Sequence, residues 1–258
     1  MKKLALTDFA KYRYPSALEL SPDSRYLTFA LKDVDREGDG YRWNLWLYDL
    51  ERRESRQITQ GDDQRKAVWE DNTHILYKTT EPDEALRARG FEEEWTVYRR
   101  LNVCTGEDRE AFRLPMSVSG LWKMDEGRYV FTGETHLDRP NLLELTGKAL
   151  EKELVRRQQT RGYKVLTELP LCENGVGMFN QTRNTLFLYL EAAGEYRRIT
   201  PEDYDVNHVN VRPGQVLFTA FPFRDVKPVT EGMYRWDAER NETETLITPC
   251  LLYTSPSP

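Results

Sequence analysis

Four times along the chain, a turn leads into a short strand rich in aromatic and β-branched residues. These segments are Ser21–Phe29, Glu70–Tyr77, Met124–Phe131 and Arg212–Phe218. Each is followed by a second strand, an acidic or glycine-containing turn, and a polar strand that ends in Ile or Leu before Thr or Pro. Short strands bounded by turn residues are typical of antiparallel sheets.

The spacing of these segments predicts the architecture. Their strand ends at Phe29, Tyr77, Phe131 and Phe218 lie 48, 54 and 87 residues apart. A four-stranded unit that repeats roughly every 40–50 residues is the mark of a β-propeller blade. The sequence therefore predicts an all-β fold, a partial β-propeller of about four four-stranded antiparallel blades. Its mid-strand apolar residues are predicted to be buried between sheets: Leu27, Phe29, Leu45, Leu47, Leu76, Val130, Phe187 and Phe218.

A helical insertion explains the 87-residue gap. The stretch 142–159 reads as a helix because apolar residues can form one face and opposite charges lie four residues apart. The apolar positions are Leu142, Leu145, Ala149 and Leu150, and the charged pairs are Glu144–Lys148 and Glu153–Arg157. Gly147 counts against a continuous helix. The predicted division is a lead-in at 1–16, an incomplete propeller at 17–249 with blades at 17–63, 64–116, 117–204 and 205–249, and a tail at 250–258.

The tail differs in composition from the rest of the chain. Residues 250–258 carry no charge, although 31% of all residues are charged. The segment looks like translated sequencing-adapter sequence, and the alternative is a genuine Ser/Pro linker. We expect a non-native tail and a gene that continues beyond it.

Composition excludes several classes of function. The chain has 37 Lys and Arg against 43 Asp and Glu, a net charge of −6, with the signs interspersed, so nucleic-acid binding is not expected. No apolar run approaches the roughly 18 residues of a membrane helix. Asp8 interrupts the apolar start of the chain, which predicts a cytoplasmic protein without a secretory signal. Cys104, Cys172 and Cys250 are odd in number and far apart, as expected for reduced thiols.

The blade motifs resemble a known family. The runs Ser21–Leu27, Asn44–Leu50 and Arg56–Thr59 look like a blade of the prolyl oligopeptidase family of serine peptidases. More specific are the helix and the segment that follows it, because they resemble the propeller of the acylaminoacyl-peptidase-like branch. That segment comprises Tyr163–Pro170, Asn174–Gly175, Thr185–Tyr189, Gly194–Glu195 and Arg198–Thr200. The second and fourth blades depart from the pattern at Leu114–Pro115 and Pro213–Gly214.

The resemblance implies a parent serine peptidase that cleaves short peptides. Its partners would be a downstream α/β-hydrolase domain, which carries the catalytic triad, and the peptides that the propeller admits by size. The alternative from another class is a non-enzymatic propeller scaffold of the Tol type that binds proteins. An incomplete propeller exposes a blade face and strand edges, so association into oligomers is also expected.

Residues with catalytic potential are sparse, and the sequence predicts no catalytic residue, metal or cofactor in this chain. No Gly-x-Ser-x-Gly nucleophile elbow occurs, and Ser117–Gly120 is the nearest string. The histidines His74, His136 and His208 lie apart and form no metal-binding pattern, so each is interpreted as structural. The acidic turns Asp62–Asp63 and Asp33–Asp39 lack the spacing of a calcium loop.

The string Glu92–Trp95 is the strongest candidate for a binding role. In the dipeptidyl-peptidase branch, a Glu pair in the propeller holds the amino terminus of the substrate by charge-assisted hydrogen bonds. A solvated loop that follows the charged stretch 81–90 is the alternative. Asn180 and Asn241 match a glycosylation pattern and are interpreted as chance matches. The tryptophans are interpreted as packing between blades, with a substrate platform as the alternative: Trp43, Trp46, Trp69, Trp95, Trp122 and Trp236.

Overall fold

The structure is a computed structural model that describes residues 6–35, 40–61, 63–163, 165–170, 172–173, 177–178 and 180–249. Most of these residues form four four-stranded antiparallel sheets, each built from strands that follow one another along the chain. This is the architecture of a partial β-propeller and confirms the predicted fold class. The tail at 250–258 lies outside the described residues.

The chain divides into two compact units. Unit 1 comprises Met1–Glu81 and Trp95–Leu114, and unit 2 comprises Pro82–Glu94 and Pro115–Pro258. Unit 1 begins with a 3-10 helix at Leu6–Lys11. Its first sheet contains β1 (Tyr14–Leu20), β2 (Tyr26–Asp35), β3 (Gly40–Asp49) and β4 (Glu54–Gln57). Its second sheet contains β5 (Ala67–Trp69), β6 (His74–Pro82), β7 (Glu94–Asn102) and β8 (Asp108–Leu114). The first sheet thus begins at Tyr14, within the stretch that the sequence assigns to the lead-in.

Unit 2 holds the other two sheets and the helices α1 and α2, whose bounds follow. The short helix α1 (Glu84–Arg87) lies between β6 and β7 along the chain. The helical insertion interrupts the third sheet between its second and third strands. The third sheet contains β9 (Val118–Asp125), β10 (Arg128–His136), β13 (Thr182–Leu190) and β14 (Glu195–Arg198). The insertion carries a 3-10 turn (Leu142–Glu144), α2 (Gly147–Gln159) and the small hairpin β11 (Cys172–Glu173) and β12 (Gly177–Met178). The fourth sheet contains β15 (Tyr204–Arg212), β16 (Gln215–Pro222), β17 (Gly232–Asp237) and β18 (Glu242–Ile247).

Each unit has an apolar core between its two sheets. In unit 1, Ala30, Leu45 and Leu47 pack with Trp69 and Ile75, and the Trp69 indole donates to the backbone oxygen of Glu19 at 3.1 Å. In unit 2, side chains of the third and fourth sheets share one cluster, which includes Val130, Leu186, Leu188, Val216, Phe218 and Trp236. Burying such side chains contributes about 1.5–3 kcal/mol each.

The burial predictions are confirmed for six of the eight residues. Leu45, Leu47, Leu76, Val130, Phe187 and Phe218 are buried. Full burial is wrong for Leu27 and Phe29, which are half-buried. Successive residues of β2 point to opposite faces, and the second sheet covers the face of Thr28 and Ala30. Leu27 and Phe29 lie on the other face, where Phe29 stacks on Trp46 with ring centroids 6.5 Å apart.

The predicted helix is present but shorter at its start. Gly147 is its first residue and has a left-handed φ of +56°, so the helix does not continue back through Leu145 to Leu142. Of the two predicted charged pairs, Glu153–Arg157 forms, with Nε and Oε1 3.1 Å apart. Glu144 lies outside the helix and accepts a hydrogen bond from the Tyr196 hydroxyl. The helix α1 was not predicted, and the Asp83 side chain caps it by accepting from the backbone N–H of Leu86.

Candidate functional site

Two long connections of unit 2 pack together into a small substructure. One is the segment 82–94 with α1, and the other is the insertion with α2. Leu86 of the first packs with Leu142 and Leu154 of the second, and all three are buried. Half-buried apolar side chains surround them: Phe91, Leu143, Leu145 and Leu150. The apolar contact fixes the two connections against each other.

Ion pairs join the same two connections. Arg89 donates from both terminal nitrogens to the carboxylate of Glu151, at 2.7 and 2.8 Å. Arg157 donates to Glu93 at 2.7 Å and to the backbone oxygen of Pro140, also at 2.7 Å. The hydrogen bond from Arg89 lowers the pKa of Glu151. These charge-assisted hydrogen bonds keep the guanidinium groups of Arg89 and Arg157 in place.

A cavity of about 470 Å³ opens beside this substructure. Five carboxylates line it: Glu92, Glu93, Glu94, Glu134 and Glu144. His136, Arg139, Arg157 and Arg198 also reach its wall. Glu92 and Glu94 are exposed, whereas Glu93 is tied to Arg157. The structure therefore brings the Glu92–Glu94 string and His136 to one cavity, and two of the three carboxylates remain open to solvent.

His136 lines the carboxylate-lined cavity. Its Nε2 lies 3.1 Å from Nη2 of Arg139 and 3.4 Å from Oε1 of Glu134. Its Nδ1 lies 3.3 Å from the Thr182 hydroxyl. These contacts orient the ring in a strongly charged setting, with polar atoms close to both of its nitrogens.

His74 is held by its own turn. Its Nδ1 lies 2.9 Å from Oδ2 of Asp71, and the Asn102 amide lies 3.1 Å from its Nε2. Partial burial raises the pKa of Asp71, but hydrogen bonds from Thr73 and His74 outweigh it and bring that pKa to about 2. His208 lies exposed on β15.

The string Ser117–Gly120 lies at the start of β9 and does not form a strand–turn–helix elbow. The Ser119 hydroxyl lies 2.8 Å from that of Thr132 and donates to the Asn184 side chain at 2.9 Å. A Cβ at Gly120 would lie 2.4 Å from the Trp122 ring, so this glycine is required by packing. Ser117 lines the cavity.

The segment after α2 is anchored by side chains that the sequence interpretation missed or read differently. The Asn180 amide accepts from the Thr167 backbone at 2.7 Å and donates to the Val165 oxygen at 3.1 Å. Arg183 and Glu168 form an ion pair in which each side chain is 1% exposed. Strand alternation could have identified Arg183 as a buried residue, because Arg183 lies on the same face of β13 as the predicted core residue Phe187.

The remaining residues considered in the sequence analysis are the tryptophans, the acidic turns and the cysteines. Trp69 and Trp236 are buried in the two cores, and the remaining four tryptophans are half-buried. Asp33 pairs with Arg13 at 2.9 Å, and Asp63 pairs with Arg65 at 2.8 Å. Among the described residues, no three acidic, His or Cys side chains are grouped as a metal site. Cys104 and Cys172 are free thiols, and in the same part of the chain no helix is long and apolar enough to cross a membrane.

Comparisons with known proteins agree on the fold. The chain matches no protein-family model and no curated protein sequence. Its structure is similar to an acylaminoacyl peptidase from Pyrococcus horikoshii, with a TM-score of 0.62 and 13% identity over 93% of this chain and 33% of that one. TolB from Acinetobacter baumannii gives a TM-score of 0.51 at 12% identity, covering 94% of this chain and 45% of that one.

An oligogalacturonate lyase in complex with manganese also gives a TM-score of 0.51, at 13% identity over 89% of this chain and 52% of that one. At these identities the likeness is one of fold. The chain spans about a third of the length of the peptidase that it resembles.

Proposed function

We propose that the chain is part of the β-propeller of a serine peptidase of the prolyl oligopeptidase family, in the acylaminoacyl-peptidase-like branch. The propeller would restrict entry to short peptides by steric exclusion. The triad and the oxyanion hole would lie on an α/β-hydrolase domain in another part of the parent protein. In this proposal the chain itself is not a catalyst, and the parent protein is cytoplasmic.

The observation that carries the proposal is the third sheet. Its second and third strands are separated by 45 residues, 137–181. They include α2 and the segment that leads from α2 back to β13, here called the return segment. The same feature in the sequence resembles the acylaminoacyl-peptidase-like branch, and the likeness to the peptidase fold extends over 93% of the chain. The exposed thiols of Cys104 and Cys172 agree with a reducing compartment.

The experiment begins with the reading frame beyond Pro249. We expect it to encode a Gly-x-Ser-x-Gly string after a strand, and the longer chain to react with a fluorophosphonate probe at that serine. A Ser→Ala variant of the longer chain is the control and should lose the label. The 258-residue chain should show neither labelling nor turnover of acyl-peptide, prolyl or aminoacyl chromogenic substrates.

Two results would contradict the proposal. A reading frame that closes with further blades and a stop codon would favour the non-enzymatic scaffold, to which the similarity with TolB also corresponds. Labelling of a serine in the 258-residue chain, abolished by substitution of His74, His136 or His208, would place a catalytic site in the propeller itself.

A further inference from the structure

A second cavity, of about 750 Å³, adjoins the carboxylate-lined one and carries the opposite charge. Five arginines line it: Arg89, Arg139, Arg156, Arg157 and Arg161. Its acidic lining residues are Glu134 and Asp138. The two cavities share Glu134, His136, Arg139 and Arg157.

Three of the five guanidinium groups are already neutralised. Arg89 pairs with Glu151, Arg156 pairs with Glu153, and Arg157 pairs with both Glu153 and Glu93. Arg139 and Arg161 are exposed, and within the described part of the chain neither has a carboxylate oxygen within 4.0 Å. Arg139 is oriented by its contact with His136, at 3.1 Å. The cavity wall thus offers two guanidinium groups with unused hydrogen-bond donors.

Apolar surface lies beside these charges. Tyr163 and Val165 are 65% and 64% exposed, and both line the cavity together with the half-buried Phe91. A ligand that fits must combine an anionic group with an apolar or amide body. The planar guanidinium fork matches a carboxylate in two-point geometry. Glu134 and Asp138 in the same wall disfavour a dianion such as a phosphate ester more strongly than a single negative charge.

We propose that this arginine-lined cavity binds the carboxylate of a short peptide, with Arg139 and Arg161 as the recognition groups and Tyr163 and Val165 as the wall for its apolar part. The inference rests on the proposed function for its choice of a peptide as ligand. It adds a preference for peptides with a free carboxylate to the size selection proposed above.

The test measures binding to the 258-residue chain directly. A fluorescently labelled, N-acetylated apolar pentapeptide with a free carboxyl terminus is titrated and followed by anisotropy, alongside the same peptide as its C-terminal amide. We expect the acid to bind at least about tenfold more tightly than the amide, because a charge-assisted hydrogen-bond pair is lost. Binding should weaken as salt is raised, since the groups are exposed.

Variants assign the effect to residues. R139Q combined with R161Q should weaken binding of the acid about tenfold and leave the amide unchanged. R240Q is the matched control, because Arg240 is an exposed arginine in the β17–β18 turn and lines neither cavity. The circular dichroism of both variants should match that of the parent chain, since neither Arg139 nor Arg161 supports an ion pair.

The outcomes are distinct. Equal binding of acid and amide, or an unchanged affinity in the double variant, would overturn the proposal. A C-terminal amide that carries one internal Glu and binds as the acid does would support the same carboxylate recognition with a side chain as its source. A longer chain without peptidase activity would contradict the proposed function and leave this binding result standing. An active longer chain that binds acid and amide alike would support the proposed function and overturn the proposed carboxylate recognition.

Discussion

The buried Arg183–Glu168 pair allows a sharp prediction about what holds the insertion in place. Arg183 donates to both oxygens of Glu168, to the backbone oxygen of Thr182 at 2.8 Å and to that of Phe223 at 3.0 Å. Glu168 also accepts from the backbone N–H of Gln181 at 2.7 Å. The pair therefore joins the return segment of the insertion to β13 and to the end of β16.

Glu168→Ala should be strongly destabilising. Both side chains are 1% exposed, so the substitution leaves a buried guanidinium without its counter-charge and the Gln181 N–H without its acceptor. Removing one partner of a buried ion pair costs about 3–5 kcal/mol. By contrast, Arg183→Met combined with Glu168→Leu replaces both charges with apolar groups and should recover most of that loss.

Urea unfolding followed by tryptophan fluorescence measures the free energy, and hydrogen exchange locates the change. Exchange should accelerate at the backbone N–H groups of Leu169 and Lys227, which bond to Asp225 and Leu169 at 2.8 and 2.9 Å. Glu244→Ala is the control, because its pair with Arg235 is exposed and should contribute less than about 1 kcal/mol. A loss below about 1 kcal/mol for Glu168→Ala, or a double variant as unstable as the single one, would refute this reasoning.

Three further predictions concern the cores, the surface and acid stability. Phe187→Ala should lower the free energy of unfolding in urea by about 3–5 kcal/mol, because Phe187 is buried and stacks on Phe131 with ring centroids 5.0 Å apart. A loss under about 1 kcal/mol would contradict the assigned core. Arg89→Gln should change stability by less than about 1 kcal/mol, since its pair with Glu151 is exposed, and a larger loss would show that this pair is essential for the insertion. The pKa of Asp71 is about 2 in the folded chain against 3.8 unperturbed, so its contribution to stability is present above pH 3.8 and is lost as the pH falls towards 2. Asp71→Asn should therefore flatten the acid limb of the stability curve, and an unchanged limb would show that the carboxylate is not held as described.

The strands and turns could be predicted from the sequence because the forces that set them act between close neighbours. Three aspartates stabilise turns by accepting hydrogen bonds from backbone N–H groups two or three residues later in the sequence: Asp23, Asp49 and Asp237. Alternation along each strand then fixed which residues share a face. The left-handed Gly147 likewise limits the start of α2 by its own conformation.

The site depended on contacts between residues far apart in the sequence. Arg157 contacts Glu93 across 64 residues of sequence. His136 at the end of β10 and Glu92 in the segment 82–94 line the same cavity. Alternation placed Leu27 and Phe29 on one face of β2, but it could not say which face the neighbouring sheet would cover. The alternation of residues shows which side chains share a face of the strand, but the burial of a face depends on what packs against it. The same holds for Arg183, whose charge is stable inside the fold because a carboxylate from position 168 reaches it there.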